Sequence, residues 1–319
     1  MKAAVVTSFE APPRYQDVPA PLATRPHELV VDVLAAGLHP RVRSQADGSH
    51  YTGAGELPMV PGIDGVGRDA AGRLRYFVLP DVRLGAMAEQ TVIDERRSVV
   101  LPDDSDPIAA AAGANPAMGA WIALRRRIRF EAGQDVLVLG ATGSAGRLAV
   151  EVARHLGARR VVAAGRDAAR LASLPALGAA ATVSLAGPPD EVARRLAEAA
   201  AAVDVVLDFL WGPPTAAAMT AIVQARADRG KPLTWIEIGS VAGAAASIPS
   251  AALRAARLQL VGSGQGSVDA RDIVAELPAL IGELTRGTFT IGARAVPLAD
   301  VEQAWAETGA ERIVFTPRA

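Results

Sequence analysis

A short apolar run, Val136–Leu139, ends at Gly140 and continues as Ala-Thr-Gly-Ser-Ala-Gly before an alanine- and leucine-rich stretch begins. Glycines at 140, 143 and 146 meet three separate demands. The first allows a tight exit from a strand, the second lets backbone approach a pyrophosphate, and the third lets a helix pack closely on the strand it leaves. A helix starting here offers free N–H groups and the positive end of its dipole to an anion. The chemistry that fits is dinucleotide binding, with Gly140, Thr142, Gly143, Ser144, Ala145 and Gly146 as the expected contacts. A glycine-rich turn without a ligand is the alternative. The strand–turn–helix context and a second apolar run at the right distance, Arg160–Ala164, weigh against it.

That second run leads into Gly165-Arg166-Asp167. An NAD site normally has an acidic residue at this strand end to hold the ribose 2′-hydroxyl, and here the position is Ala164 or Gly165 followed by Arg166. A planar guanidinium can grip a 2′-phosphate with two hydrogen bonds. NADPH is therefore expected, with Gly165 and Arg166 at the phosphate and Arg170 assisting. Asp167 reads as the N-cap of the next helix rather than as a displaced NAD acid. Two further turns, Gly239-Ser240-Val241 and Gly262-Ser263-Gly264, follow apolar runs, and turns at strand C-termini face the ligand crevice in sheets of this kind. Asp208 ends another such run, where a ligand contact and a helix cap are both open readings.

The elements that must hold these residues change texture along the chain. Residues 1–110 carry many prolines and glycines between short β-type runs at Ala3–Thr7, Glu28–Ala35, Arg75–Leu79, Glu89–Ile93 and Ser98–Leu101, which predicts an irregular β-rich domain. From Gln134 onward, fully apolar runs (136–139, 160–164, 182–185, 203–207, 233–238, 259–261) alternate with helical stretches near 145–156, 168–177, 190–200 and 215–225. That alternation predicts a doubly wound α/β fold with a parallel sheet. After Gly266 a helix over 269–284, a strand over 293–296, a short helix over 298–308 and a last strand over 312–316 are expected. So apolar a final strand needs a partner, and the N-terminal β domain can supply one. The expected domains are thus 1–112 joined with 265–319, and 113–264 between them.

Composition narrows the function classes. The 319 residues carry a net charge of −1 and are 50% hydrophobic, a balance suited to a folded soluble protein and not to nucleic-acid binding. The basic run Arg125, Arg126, Arg127 and Arg129 reads as a solvated helix end, where cations suit the dipole. There is no cysteine, which removes disulfides, thiolate nucleophiles and cysteine-ligated metals. The start lacks a signal-peptide pattern, and no stretch reaches the roughly 20 apolar residues of a membrane span. A cytoplasmic protein is expected.

The opening MKAAVV, LAAGLHP, LPMVPGIDGVG, GAMAEQTVI, NPAMGAWIAL, GATGSAG and the ending ERIVFTP, in that order and over essentially the whole chain, resemble the quinone oxidoreductase branch of the medium-chain dehydrogenase/reductase superfamily. The resemblance implies a GroES-like catalytic domain made from both chain ends and a Rossmann domain between them. It also implies a cleft where nicotinamide and substrate meet, and a homodimer formed through Rossmann edge strands. The turns at 239–241 and 262–264 are used in this family against the nicotinamide end. Zinc enzymes of the superfamily carry a Gly-His-Glu motif, matched here by Gly62-Ile63-Asp64, and Ile63 cannot bind a metal. No zinc is expected. The chain departs from the pattern in three places. The segment from Gly67 to Ala88 is short, His39 stands where Asn is common, and a Tyr-rich segment is reduced to Tyr51.

Without a metal, hydride transfer to a quinone or an activated C=C is the reaction that fits best. It needs the acceptor carbon close to the nicotinamide, a donor for the acceptor oxygen, and a proton. Tyr51 is the first candidate donor, against a loop tyrosine with its ring packed and its hydroxyl in water. His39 lies where the family places residues by the nicotinamide and suits proton delivery near neutrality, against a histidine satisfying backbone before Pro40. Asn115, before Pro116 where the domains join, is a further cofactor contact candidate. His27 and His50 are expected to be exposed, and His155 structural. A zinc-free ketone or aldehyde reductase and a non-catalytic NADPH-binding sensor remain the alternatives.

Overall fold

The computed structural model describes residues 1–51, 56–80, 83–309 and 311–317. The chain divides into two compact units, Met1–Pro116 with Val274–Ala319, and Ala117–Ile273. The first stretch carries β1 (Lys2–Val5), β2 (Arg14–Asp17), β3 (Glu28–Gly37), α1 (Pro40–Ala46), β4 (Asp64–Asp69), β5 (Leu74–Val78), β6 (Gln90–Asp94), β7 (Ser98–Val100) and α2 (Pro107–Ile122). The middle carries β8 (Asp135–Leu139), α3 (Ser144–His155), β9 (Arg160–Gly165), α4 (Ala168–Ser173), β10 (Ala181–Ser184), α5 (Pro189–Ala200), β11 (Val205–Asp208), α6 (Gly212–Ala225), β12 (Leu233–Glu237), α7 (Ser250–Arg254) and β13 (Leu258–Gly262). The last stretch carries α8 (Ala270–Thr285), β14 (Ala293–Pro297), α9 (Val301–Ala304) and β15 (Arg312–Thr316).

The middle unit is a six-stranded sheet in the order β10-β9-β8-β11-β12-β13, every pair parallel. Val136, Leu137 and Val138 are completely buried, because crossover helices cover both faces of such a sheet and leave no side for polar residues. Strand order reverses between β8 and β11, and a doubly wound sheet binds its ligand at the C-terminal ends of the strands around that reversal. The unit is Rossmann-like.

The other unit is β-rich. Seven strands form one sheet along β14-β15-β3-β4-β5-β7 with β6 paired to β3, and β1 pairs with β2 beside it. The final strand does find its partner in the N-terminal half, since β15 pairs antiparallel with β3 and parallel with β14. β4 is glycine-rich for a steric reason: a Cβ on Gly65 or Gly67 would lie 2.7 Å from the carbonyl oxygen of Ala35 or Asp32 on β3. At the end of β4, burial would raise the Asp69 carboxyl. Arg75 and Arg73 outweigh that and hold it down to about 2.

Two expected elements differ, and one helix, α2, had no expected bounds. The helix expected over 298–308 is a 3₁₀ turn, Leu298–Asp300, followed by the single turn of α9. The helix expected over 168–177 is α for six residues and then tightens to 3₁₀ at Leu174–Leu177, where Pro175 cannot donate to the α ladder. α2 runs unbroken through Gly113, Asn115 and Pro116 and closes in a π turn, Ala123–Arg127. The basic run sits at that end, with Arg125 over the Trp121 ring and Arg127 donating to the Gly262 carbonyl.

Candidate functional site

In the Rossmann-like unit, β8 delivers the chain into a turn that its own backbone holds shut. Gly140 and Ala141 both donate N–H to the Ala164 carbonyl at 2.9 Å, and Gly143 donates to the Gly140 carbonyl at 3.1 Å. Gly140 has φ +86°, a conformation a side chain rarely tolerates. A Cβ on Gly146 would lie 2.2 Å from the Gly140 carbonyl oxygen, so helix α3 can start this close to the turn only with glycine there. At Gly143, by contrast, a Cβ would meet nothing nearer than 3.5 Å, which leaves open space above the N-terminus of α3. The arrangement fits a pyrophosphate: an uncovered helix start, N–H groups free of side-chain caps, and a gap beside Gly143. Thr142 packs over Gly165 of β9, where a Cβ would come within 2.5 Å of its methyl group. Ser144 and Ala145 form the first turn of α3.

At the end of β9, Asp167 is the N-cap of α4, its carboxylate accepting the Arg170 N–H at 3.0 Å. Arg170 is occupied as well. Its Nε lies 3.3 Å from Asp167, and Nη1 donates to the Thr142 carbonyl. Arg166 is exposed and makes no ion pair or side-chain hydrogen bond among the described residues. A cation left free beside a phosphate turn, next to another that is tied down, is the arrangement a 2′-phosphate would use.

Beyond the reversal, β11 ends at Asp208, which is fully buried. Oδ1 accepts the N–H groups of Leu210 (2.9 Å) and Trp211 (3.1 Å), and Oδ2 accepts Thr215 Oγ1 (2.6 Å) and Trp235 Nε1 (2.9 Å). Of the two readings of Asp208, the carboxylate is therefore committed to holding the β11–α6 turn. Glu237, which sequence reasoning passed over, ends β12 directly opposite Asp208. Burial and then the Asp208 charge push its carboxyl above the usual range. Its signal was present as a lone charge inside the apolar run Leu233–Ile238. Gly239 and Ser240 follow Glu237, with the Gly239 N–H donating to the Asp208 carbonyl. Gly262 ends β13, Ser263 is buried and donates its N–H to the Glu237 carbonyl, and Gly264 donates to Ser267 Oγ.

In the β-rich unit, His39 is fully buried and makes no capping hydrogen bond to α1. Its Nε2 lies 3.1 Å from Asp64 Oδ1, within ion-pair distance but outside hydrogen-bond alignment. Asp64 Oδ2 accepts the Tyr76 hydroxyl at 2.7 Å. Burial, then the Asp64 charge, keep that hydroxyl protonated well above its ordinary range. The imidazole folds back over Gly37, where a Cβ would sit 2.5 Å from Nε2. Asp64 had a sequence signal in its match to the Gly-His-Glu motif, whereas Tyr76 had none. Tyr51 is 70% exposed, its ring 4.5 Å from that of His50. Asn115 is half-buried inside α2. His27 is exposed, whereas His50, expected in solvent, is half-buried because the Tyr51 ring lies over it. His155 closes α3 stacked on Trp121. Among the described residues, no three histidine or carboxylate side chains gather as a metal site would require.

No protein-family model matches the chain. A full-length relative, the "Probable NADPH-dependent quinone reductase" of Emericella nidulans, is 31% identical over 99% of this chain and 100% of its own length. The chloroplastic NADPH-dependent alkenal/one oxidoreductase of Arabidopsis thaliana is 29% identical over 48% of this chain and 43% of its own. Among solved structures, the quinone oxidoreductase of Thermus thermophilus, determined alone and with NADPH, superimposes with a TM-score of 0.83 at 27% identity, covering 99% of this chain and 100% of that one. With the parallel sheet, the phosphate turn and the β-rich unit built from both chain ends, these similarities establish that the chain belongs to the quinone oxidoreductase branch of the medium-chain dehydrogenase/reductase superfamily.

Proposed function

We propose that the protein is a zinc-independent, NADPH-dependent reductase of quinones or α,β-unsaturated carbonyls, acting as a cytoplasmic homodimer. The observation that carries this reading is the pairing of an uncovered phosphate turn at 140–146 with a free Arg166 at the end of β9, where an NAD site would show an acid. The relatives' names point the same way. Ile63 in the Gly-His-Glu position and the lack of any cysteine favour a site without zinc. The lack of cysteine also suits a reducing compartment. β13 ends the parallel sheet, and an open edge is the kind of surface with which a second copy pairs.

Bound at this site, NADPH would supply the hydride. The chain supplies the rest. The α3 N-terminus and the turn backbone hold the pyrophosphate, and Arg166 reads the 2′-phosphate. The loops at Gly239–Ser240 and Gly262–Gly264 border the other half of the dinucleotide. Tyr51, exposed in the β-rich unit, would serve as donor to the acceptor oxygen, and His39, beside Asp64, would deliver the proton.

Loss of NADPH absorbance is expected with a quinone or an enone as acceptor, and the enone product should keep its carbonyl. An alcohol product would favour the ketone reductase reading. Binding of NADPH without turnover on any acceptor would favour the sensor. Arg166→Ala is expected to weaken NADPH by about 10- to 100-fold, since a charged hydrogen bond is worth about 1.5–3 kcal/mol, and to leave NADH nearly unchanged. Arg170→Ala should have a smaller effect. Equal losses for both nucleotides in Arg166→Ala would refute the 2′-phosphate role.

A further inference from the structure

Trp211 has φ +53° and ψ −167°, a backbone region that glycine occupies freely and a tryptophan enters only under strain. Strain of this kind persists where the surroundings over-determine it, and here they do. Asp208, itself fully buried, accepts the N–H groups of both Leu210 and Trp211, while Thr215 and Trp235 fix its other oxygen. The Ala242 N–H donates to the Leu210 carbonyl at 2.8 Å, and Gly212, also at positive φ, packs where a Cβ would meet the Ala242 carbonyl oxygen at 2.8 Å. Two turns are thus braced against each other to hold one residue.

The ring is not there to fill the core. Leu210 and Trp235 pack into the cluster beneath the sheet, whereas Trp211 is half-buried and takes no part in it. Its place in the sheet is informative. β11 lies next to β8 across the reversal of strand order, and Trp211 stands three residues past the C-terminal end of β11. On the NADPH reading, the turn at 140–146 would hold the pyrophosphate beside β8 and Arg166 the adenosine end at β9. The remaining half of a dinucleotide must then extend the other way, past the ends of β11 and β12.

We propose that Trp211 is a binding residue for the nicotinamide half of the cofactor, a flat aromatic wall that the Asp208 network keeps in a strained position. The inference rests on the NADPH reading above. A π-face against a flat heterocycle is worth up to about tenfold in affinity, and a ring clamped in place loses little freedom on binding.

The test compares NADPH with adenosine 2′,5′-bisphosphate, which keeps the 2′-phosphate but lacks the nicotinamide, by calorimetry on wild type, Trp211→Gly and Trp211→Phe. Trp211→Gly should weaken NADPH about tenfold, leave the bisphosphate unchanged, and melt no lower than wild type because the strain is released. Trp211→Phe should recover most of the NADPH affinity. Equal loss for both ligands, no loss for either, or a clear fall in melting temperature in Trp211→Gly would overturn the proposal while leaving the NADPH reading intact. A wild type that binds neither ligand would overturn both.

Discussion

Gly146→Ala is expected to lower NADPH affinity by at least about 100-fold, roughly 2.8 kcal/mol at 1.4 kcal/mol per tenfold, and to destabilise the Rossmann-like unit as well. The added carbon would lie 2.2 Å from the Gly140 carbonyl oxygen and 2.7 Å from the Ala141 Cα. Both are backbone atoms, and neither can rotate aside. Gly140 and Ala141 are anchored to the Ala164 carbonyl, so relief must come from α3 moving away from β8. Overpacking of this kind costs about 1–3 kcal/mol. Gly143→Ala is the informative control. Its φ of −80° suits alanine, and its Cβ would meet only the Gly140 carbonyl oxygen, at an ordinary 3.5 Å. That variant should fold as well as wild type and still bind NADPH at least about tenfold more weakly, because the methyl group occupies the space a phosphate would take. Thermal melts with and without NADPH read both effects. A Gly143→Ala protein with undiminished affinity would mean that the pyrophosphate does not approach this turn.

Asp208→Ala is expected to be the most destabilising single change at the strand ends, by about 3–5 kcal/mol in urea unfolding. Each buried donor left without an acceptor costs about 1–3 kcal/mol, and this carboxylate serves four, Leu210, Trp211, Thr215 and Trp235. The Thr215 hydroxyl can turn to another acceptor, but the Trp235 indole N–H points in a fixed direction. Asp208→Asn should cost less, because one side-chain oxygen remains for two of the donors. In both variants the turn carrying Trp211 should relax toward unstrained backbone, and NADPH affinity should fall with it. A stability within about 1 kcal/mol of wild type for Asp208→Ala would show that the network does not hold the turn.

The parallel strands were legible from residue order. Val136–Leu139 falls within β8 and Arg160–Ala164 within β9, because a strand covered on both faces has to be apolar at every position and announces itself as a run. The phosphate turn was legible for a related reason, since its glycines answer to backbone geometry inside seven residues. The Asp167 cap is equally local. β4 and α2 were harder to read. β4 is Asp-Gly-Val-Gly-Arg-Asp, its glycines chosen by the backbone of β3 against which it lies, so no apolar alternation marks it. In α2, Gly113 lies against Ile291 and Leu284, whose side-chain ends a Cβ would meet at 2.6 and 2.9 Å. A helix surrounded this way shows no amphipathic period and resembles a broken one.

Sequence patterns were thus sufficient for the doubly wound sheet and for the turn that suits a pyrophosphate, because each depends on neighbours a few residues apart or on burial of whole segments. Tertiary structure decided how the polar groups were used. His39, Asp64 and Tyr76 meet across strands, Arg170 is tied down while Arg166 is left free, and Trp211 is held in strain by an aspartate that also bonds Trp235, 27 residues from that aspartate. A buried donor or acceptor must find a partner wherever the fold brings one. That partner is set by strand order and register, which residue types in sequence do not encode locally.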